Sequence, residues 1–166
     1  MQDESINDLA KLTVLHGDAT APVGSGPRII AHICNDIGGW GSGFVVAVSN
    51  RWDEPEKNYR AWYAGRDNND FGLGAVRFVP VAEELWVANM IGQHTMMATP
   101  EGPPICYDAV ERALEEVAAF ALIRRGTVHM PRIGCGLAGG TWTKIGPIVQ
   151  QQLLNRGVQT FVYDFG

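Results

Sequence analysis

The sequence predicts an α/β domain built on a largely parallel sheet covered on both faces. Six short apolar runs recur along the 166 residues, stretches with helical periodicity lie between several of them, and glycine clusters follow two of the runs. Buried strands that alternate with helices are the pattern of parallel sheets, because the crossovers place helices on the faces.

The elements follow in chain order. "LTVL" (12–15) and "RIIAHI" (28–33) have the length and β-branched content of strands. "FVVAVSNRW", after the first glycines, predicts a short apolar helix. "DEPEKNYRAWY" predicts a second, with Pro55 in its first turn, Tyr59, Trp62 and Tyr63 on one side, and Gly65 at its end. "AVRFVPV" (75–81) and "LWVANMI" (85–91) are joined by so few residues that an antiparallel hairpin is expected. In "YDAVERALEEVAAFALIRR", Ala109, Ala113, Val117 and Ala121 lie beside Val110, Leu114, Ala118 and Leu122, an apolar stripe opposite Glu111, Arg112, Glu115 and Glu116, and Gly126 is expected to stop the helix. "TVHMPRI" (127–133), a helix over roughly 143–155, and "QTFVYDF" (159–165) complete the pattern. Of the loop-like stretches, "TMMATPEGPP" is long enough either to cover a site or to be an ordinary surface connection.

With 46% hydrophobic residues the chain suffices for one core, so 1–166 is expected to be a single domain with 1–10 as a polar N-terminal extension. A net charge of −5 argues against a broad surface for duplex DNA. The acidic start lacks the form of a secretory signal and no apolar stretch approaches membrane-spanning length, so a soluble, cytoplasmic protein without a membrane partner is expected. Cys34, Cys106 and Cys135 suit neither a disulfide framework nor a zinc site, and His16, His32, His94 and His129 lack ligand spacing, so neither metal nor cofactor is expected. Cys135, between two glycines, reads as a structural thiol rather than a nucleophile.

Two strands run into glycine loops, "NDIGGWGSG" and "GCGLAGG". Such loops sit at the carboxyl edge of an open α/β sheet, where exposed amides and helix N-termini favour anions. Neither is a Walker or GxGxxG motif. "HGDAT" adds a third loop on that edge, where Asp18 can accept a hydrogen bond from an exocyclic amine such as that of adenine.

"VLHGDAT", "IIAHICNDIGGWGSGF" and "MPRIGCGLAGGTW" resemble the first-strand motif, first ligand loop and diphosphate loop of the macrodomain family, which binds ADP-ribose. "PRIGCGL" is similar to the form in the subclass of the human terminal ADP-ribose protein glycohydrolase. The resemblance implies a three-layer α/β/α fold with a mixed, largely parallel sheet and the ligand across its carboxyl edge. It implies that Asp18 reads the adenine amino group with the Ala19 N–H nearby, and that Tyr163, Asp164 and Phe165 wall the adenine. Ile133, Gly134, Cys135, Gly136, Leu137 and Ala138 would line the diphosphate, and Gly39, Trp40, Gly41, Ser42, Gly43 and Phe44 would surround the distal ribose with Asn35 and Asp36. Trp40 either covers the ribose or packs down onto the helix.

The subclass's lysine and the aspartate directly after "GCGL" are unmatched, the latter position reading Ala138, and the aspartate of a second hydrolase group reads Ser42. Asp36 remains, with Asn35 beside it, to activate water or stabilise an oxocarbenium-like state unless it braces the loop instead. The function implied is removal of mono-ADP-ribose from modified macromolecules, foremost from esters on acidic side chains of proteins and less expectedly from DNA, by a monomer. A non-catalytic ADP-ribose reader, or a hydrolase of O-acetyl-ADP-ribose or ADP-ribose 1″-phosphate, is the alternative. Gln93 and His94 either reach the substrate or are surface residues.

Overall fold

Each apolar run forms a strand: β1 (Leu12–His16), β2 (Arg28–Asn35), β3 (Val76–Ala82), β4 (Leu85–Gln93), β5 (Thr127–Met130) and β6 (Thr160–Asp164). Each helical pattern forms a helix: α1 (Phe44–Arg51), α2 (Glu54–Ala64), α3 (Tyr107–Arg124) and α4 (Trp142–Gln152). The computed structural model describes residues 10–165, so the expected extension 1–10 lies, Ala10 apart, outside the described residues.

The strands form one sheet in the order β1-β6-β5-β2-β4-β3. All pairs are parallel except β3 and β4, which form the expected antiparallel hairpin. Period-two alternation divides the core between the faces. Ile29 and Ala31 of β2 and Ala88 and Met90 of β4 pack with α3 and α4, whereas Ile30 and Cys34, with Val87 and Ile91, pack with α1 and α2. The result is a three-layer α/β/α fold.

The α3 stripe is buried from Ala109 to Ala121, and its alanines let the helix lie close to the sheet. Leu122, expected in that stripe, is 47% exposed, whereas its neighbour Ala121 is fully buried. The left-handed residue that ends α3 is Arg125 (φ 54°), not Gly126. Gly126 is needed for space, since a Cβ there would come within 3.0 Å of the Pro27 carbonyl oxygen. The last helix ends at Gln152 rather than 155, and a 3-10 turn, Leu154–Arg156, follows it.

The strand expected over 127–133 stops at Met130. Pro131 has no N–H with which to continue a ladder. Consequently β2 pairs with β5 only through Arg28, Ile29 and Ile30, although β2 itself runs on to Asn35. Above Ile30 the two chains part. This gap lies where the strand order reverses direction, the place at which open α/β sheets bind ligands.

Candidate functional site

A cavity of about 210 Å³ occupies the gap. One wall is the end of β2, from His32 to Asn35, continuing through Gly39, Gly41, Ser42, Gly43, Phe44 and Val45. The other wall runs from Pro131 to Gly134 and through Gly136, Leu137 and Ala138, with Gln93 and Met96 closing one side. Both predicted glycine loops therefore meet across one cleft.

The first loop is held by Asn35, whose Oδ1 accepts from the Ile37 and Gly39 N–H groups, both at 3.0 Å, while Nδ2 donates to the Gly39 carbonyl at 2.9 Å. The Tyr59 hydroxyl, buried under the loop, lies 2.7 Å from the Asn35 carbonyl oxygen and accepts the Gly38 N–H at 3.1 Å. Asn35 thus contributes to the cleft wall while its side-chain amide is occupied inside the loop. Trp40 takes the packed position of its two readings: it is 6% exposed, sits edge-on to His32, and donates from Nε1 to Ser49 Oγ at 2.7 Å. It does not line the cleft.

In the second loop the N–H groups of Cys135, Gly139 and Gly140 bond to carbonyls of the same segment. Those of Gly136, Leu137 and Ala138 have no such bond among the described residues, which leaves three adjacent donors for an anion. The Cys135 thiol points to the Ile133 carbonyl oxygen at 3.4 Å, outside the cleft lining, and burial raises its pKa against the influence of Arg132. Among the described residues, Arg132 is the one Lys or Arg side chain in the lining. Asp164 grips it through two bonds of 2.8 and 3.0 Å, and it lies over the Trp142 ring.

Asp36 faces away from the lining. Its Oδ2 lies 2.6 Å from His94 Nδ1, and its Oδ1 accepts the Thr95 N–H at 2.9 Å. The carboxylate is 16% exposed and the imidazole 67%, and the cleft residues Asn35, Gln93 and Met96 flank the pair in the chain. The His94 ring lines a neighbouring groove together with Thr99, Glu101 and Cys106.

Asp18, Ala19, Tyr163, Asp164 and Phe165 gather on the β1–β6 side of the same edge, outside the cleft, where Gly17 N–H bonds to the Asp164 carbonyl. Asp18 Oδ1 caps the Thr20 N–H and hydroxyl, and its Oδ2 stands 3.8 Å from Arg51. Ala19 is buried; Tyr163 directs its hydroxyl inward to His129 and Val23, leaving Phe165, 87% exposed, as the available aromatic. His32, Ile33, Cys34, Val45, Met96, Pro131 and Arg132 are cleft residues that the sequence reading did not select. Pro131 and Arg132 stand inside "PRIGCGL", and His32, Ile33 and Cys34 inside "IIAHICNDIGGWGSGF", so the quoted motifs carried a usable signal for them; Val45 and Met96 lie outside both motifs.

No family model matches the chain. Among curated proteins, the chromodomain-helicase-DNA-binding protein 1-like of Mus musculus is 29% identical over 167 residues, 95% of this chain and 18% of that protein. The chain therefore spans less than a fifth of the length of the curated relatives it matches. A protein of unknown function from Bacteroides thetaiotaomicron has a TM-score of 0.90 at 52% identity, covering 93% of this chain and 98% of that one. A macrodomain protein from Streptomyces coelicolor has a TM-score of 0.85 at 52% identity, covering 94% of this chain and 100% of that one. The chain is a macrodomain. The macrodomain also shares its fold with Thermosipho africanus DarTG, solved in complex with ADP-ribose, at 16% identity and a TM-score of 0.73 over 93% of this chain and 41% of that one.

Proposed function

We propose that this macrodomain binds ADP-ribose in the cleft and hydrolyses mono-ADP-ribose from modified macromolecules, foremost from esters on acidic side chains of proteins. The observation that carries the reading is the convergence of two glycine loops on one cleft, with three unspent amides on one wall. Those amides suit a diphosphate, because oriented N–H groups bind anions without needing free cations. The complex of DarTG with ADP-ribose supports the same ligand on the same fold. The adenine would lie towards Asp18 and Phe165, and "PRIGCGL" supports membership of the terminal glycohydrolase subclass.

Asp36 Oδ2 holds His94 Nδ1 and its Oδ1 holds the Thr95 N–H, so the carboxylate acts as a positioning residue that fixes the first loop against the segment after β4. Water then attacks the anomeric carbon, and the carboxylate of the modified side chain leaves with the bonding electrons and takes up the proton that the water gives up. The rival reading is a non-catalytic reader, favoured by the placement of the His94 ring in the neighbouring groove rather than the cleft.

The test is to incubate the chain with glutamate-linked mono-ADP-ribosylated protein, ADP-ribosylated DNA and O-acetyl-ADP-ribose, and to follow free ADP-ribose. Release from the protein ester supports the proposal, and Asp36→Asn should lower the rate on the order of 100-fold with ADP-ribose affinity unchanged. Tight binding with no release supports the reader. Release from DNA or the acetyl ester alone moves the substrate class.

A further inference from the structure

Just behind the cleft wall lies a ring nitrogen that no group among the described residues satisfies. His32 is 1% exposed and lines the cleft. Its Nε2 lies 2.6 Å from Asn89 Oδ1. That amide is oriented from its other end, where Nδ2 donates to the Pro55 carbonyl at 3.0 Å, so an acceptor faces the imidazole and Nε2 carries the hydrogen. Nδ1 is then a bare acceptor, and it has no hydrogen-bond partner among the described residues. Burial, opposed by the Asn89 bond, lowers the ring's pKa to about 4 and keeps it neutral at pH 7.

The two ring nitrogens point to opposite sides of the imidazole. Nε2 faces β4, where Asn89 stands in register with His32. Nδ1 therefore faces the other neighbour of β2, and on that side the pairing with β5 has ended at Ile30 and the cleft has replaced it. A buried acceptor left unsatisfied is destabilising, so a donor from the ligand is favoured there. At neutral pH a diphosphate offers no such donor, and its oxygens are repelled by a lone pair. A sugar hydroxyl offers one.

We propose that His32 is a specificity-determining residue whose Nδ1 accepts a hydrogen bond from a hydroxyl of the distal ribose. This rests on the ADP-ribose reading and deepens it: the sugar is drawn over the end of β2, and the diphosphate is directed to the amides of Gly136, Leu137 and Ala138. Because a site built to receive a hydroxyl rejects ligands that lack it, the terminal sugar rather than the nucleotide would set selectivity.

The full chain labelled with 15N-histidine tests this directly. Saturating ADP-ribose should shift the His32 Nδ1 resonance as its lone pair gains a hydrogen bond, whereas ADP, which lacks the distal ribose, should bind and leave that resonance in place. In parallel, His32→Leu should weaken ADP-ribose binding about 10-fold or more while ADP affinity stays within about twofold. An Nδ1 resonance unmoved by ADP-ribose, or a variant that weakens both ligands equally, overturns the proposal, and the labelled wild-type measurement needs no variant to fold. Calorimetry on the wild type separates the two levels: no ADP-ribose binding at all removes the ligand reading itself, and this proposal with it.

Discussion

At the scale of single residues, the glycines of the second loop serve two different ends. A Cβ on Gly140 would stand 2.5 Å from the Gly134 carbonyl oxygen, the same oxygen that accepts the Gly140 N–H at 2.7 Å. A Cβ on Gly136 would meet nothing within 4 Å. Its bareness leaves room in the cleft rather than inside the protein. Gly140→Ala should therefore destabilise the fold by about 2 kcal/mol, because backbone must move, as read by urea unfolding. Gly136→Val should leave the unfolding midpoint nearly unchanged yet reduce ADP-ribose affinity at least about tenfold by filling the ligand's space; equal loss of stability in both variants would refute the distinction. The glycines themselves were legible in the sequence, but this division of labour was not, since it depends on which atoms another segment brings opposite each one. Asp36 is the same case: it stood out as a lone carboxylate in a ligand loop, while its partners His94 and Thr95 come from the far end of β4. No local spacing announces them.

Elements were more legible than contacts, because strand and helix periodicities are written locally. All six strands and four helices arose where apolar alternation and punctuation placed them, and the antiparallel hairpin followed from its short connection. The departures came where one residue's backbone chemistry overrode its side-chain pattern. Pro131 is apolar and extends the run "TVHMPRI", yet its missing N–H ends β5 and so opens the cleft. The end of α3 is another such case. The sequence offers Gly126 as the natural stop, but the Gly126 N–H reaches back to the Ala121 carbonyl at 2.9 Å, which puts Arg125 in the left-handed position. A residue with a Cβ is strained there, and glycine is not. Arg125→Gly is expected to stabilise the chain by about 0.5–1 kcal/mol, the relief being partly offset by the entropy of a freer unfolded chain. Chemical denaturation at pH 7 measures it, and a loss of stability would mean that the exposed guanidinium contributes more than the backbone strain.

Taken as a whole, the molecule encloses two imidazoles in its interior, one on each side of the cleft's root. His32 is held by Asn89, while His129 lies between Thr127 and Tyr163 with Phe161 stacked on its ring. Burial lowers both pKa values from 6.5 to about 4, with the Asn89 bond opposing at His32 and the Arg28 charge assisting at His129. In the unfolded chain each would titrate near its ordinary value, about 6.5. Above that pH neither state binds the proton and stability is at its full value. Between 6.5 and 4 the unfolded chain takes up protons that the native state refuses, so stability falls with pH, by about 2 kcal/mol for each histidine at pH 5 and about 3 kcal/mol by pH 4. The carboxylates act lower down. Arg132 holds Asp164, and Arg60 holds Glu56, below their ordinary values, so the stability they confer is present above the normal carboxylate range and is lost only as pH falls through it. The two windows can thus be separated: unfolding free energy should be level from pH 8 to 7 and already reduced at pH 5.5, before carboxylates protonate. His129→Gln, compared with wild type at each pH, should show a shallower decline across that interval whatever its offset at pH 7. A wild-type profile level down to pH 5 would mean that these rings are protonated in the folded state, and the fixed neutral tautomer assigned to His32 would go with it.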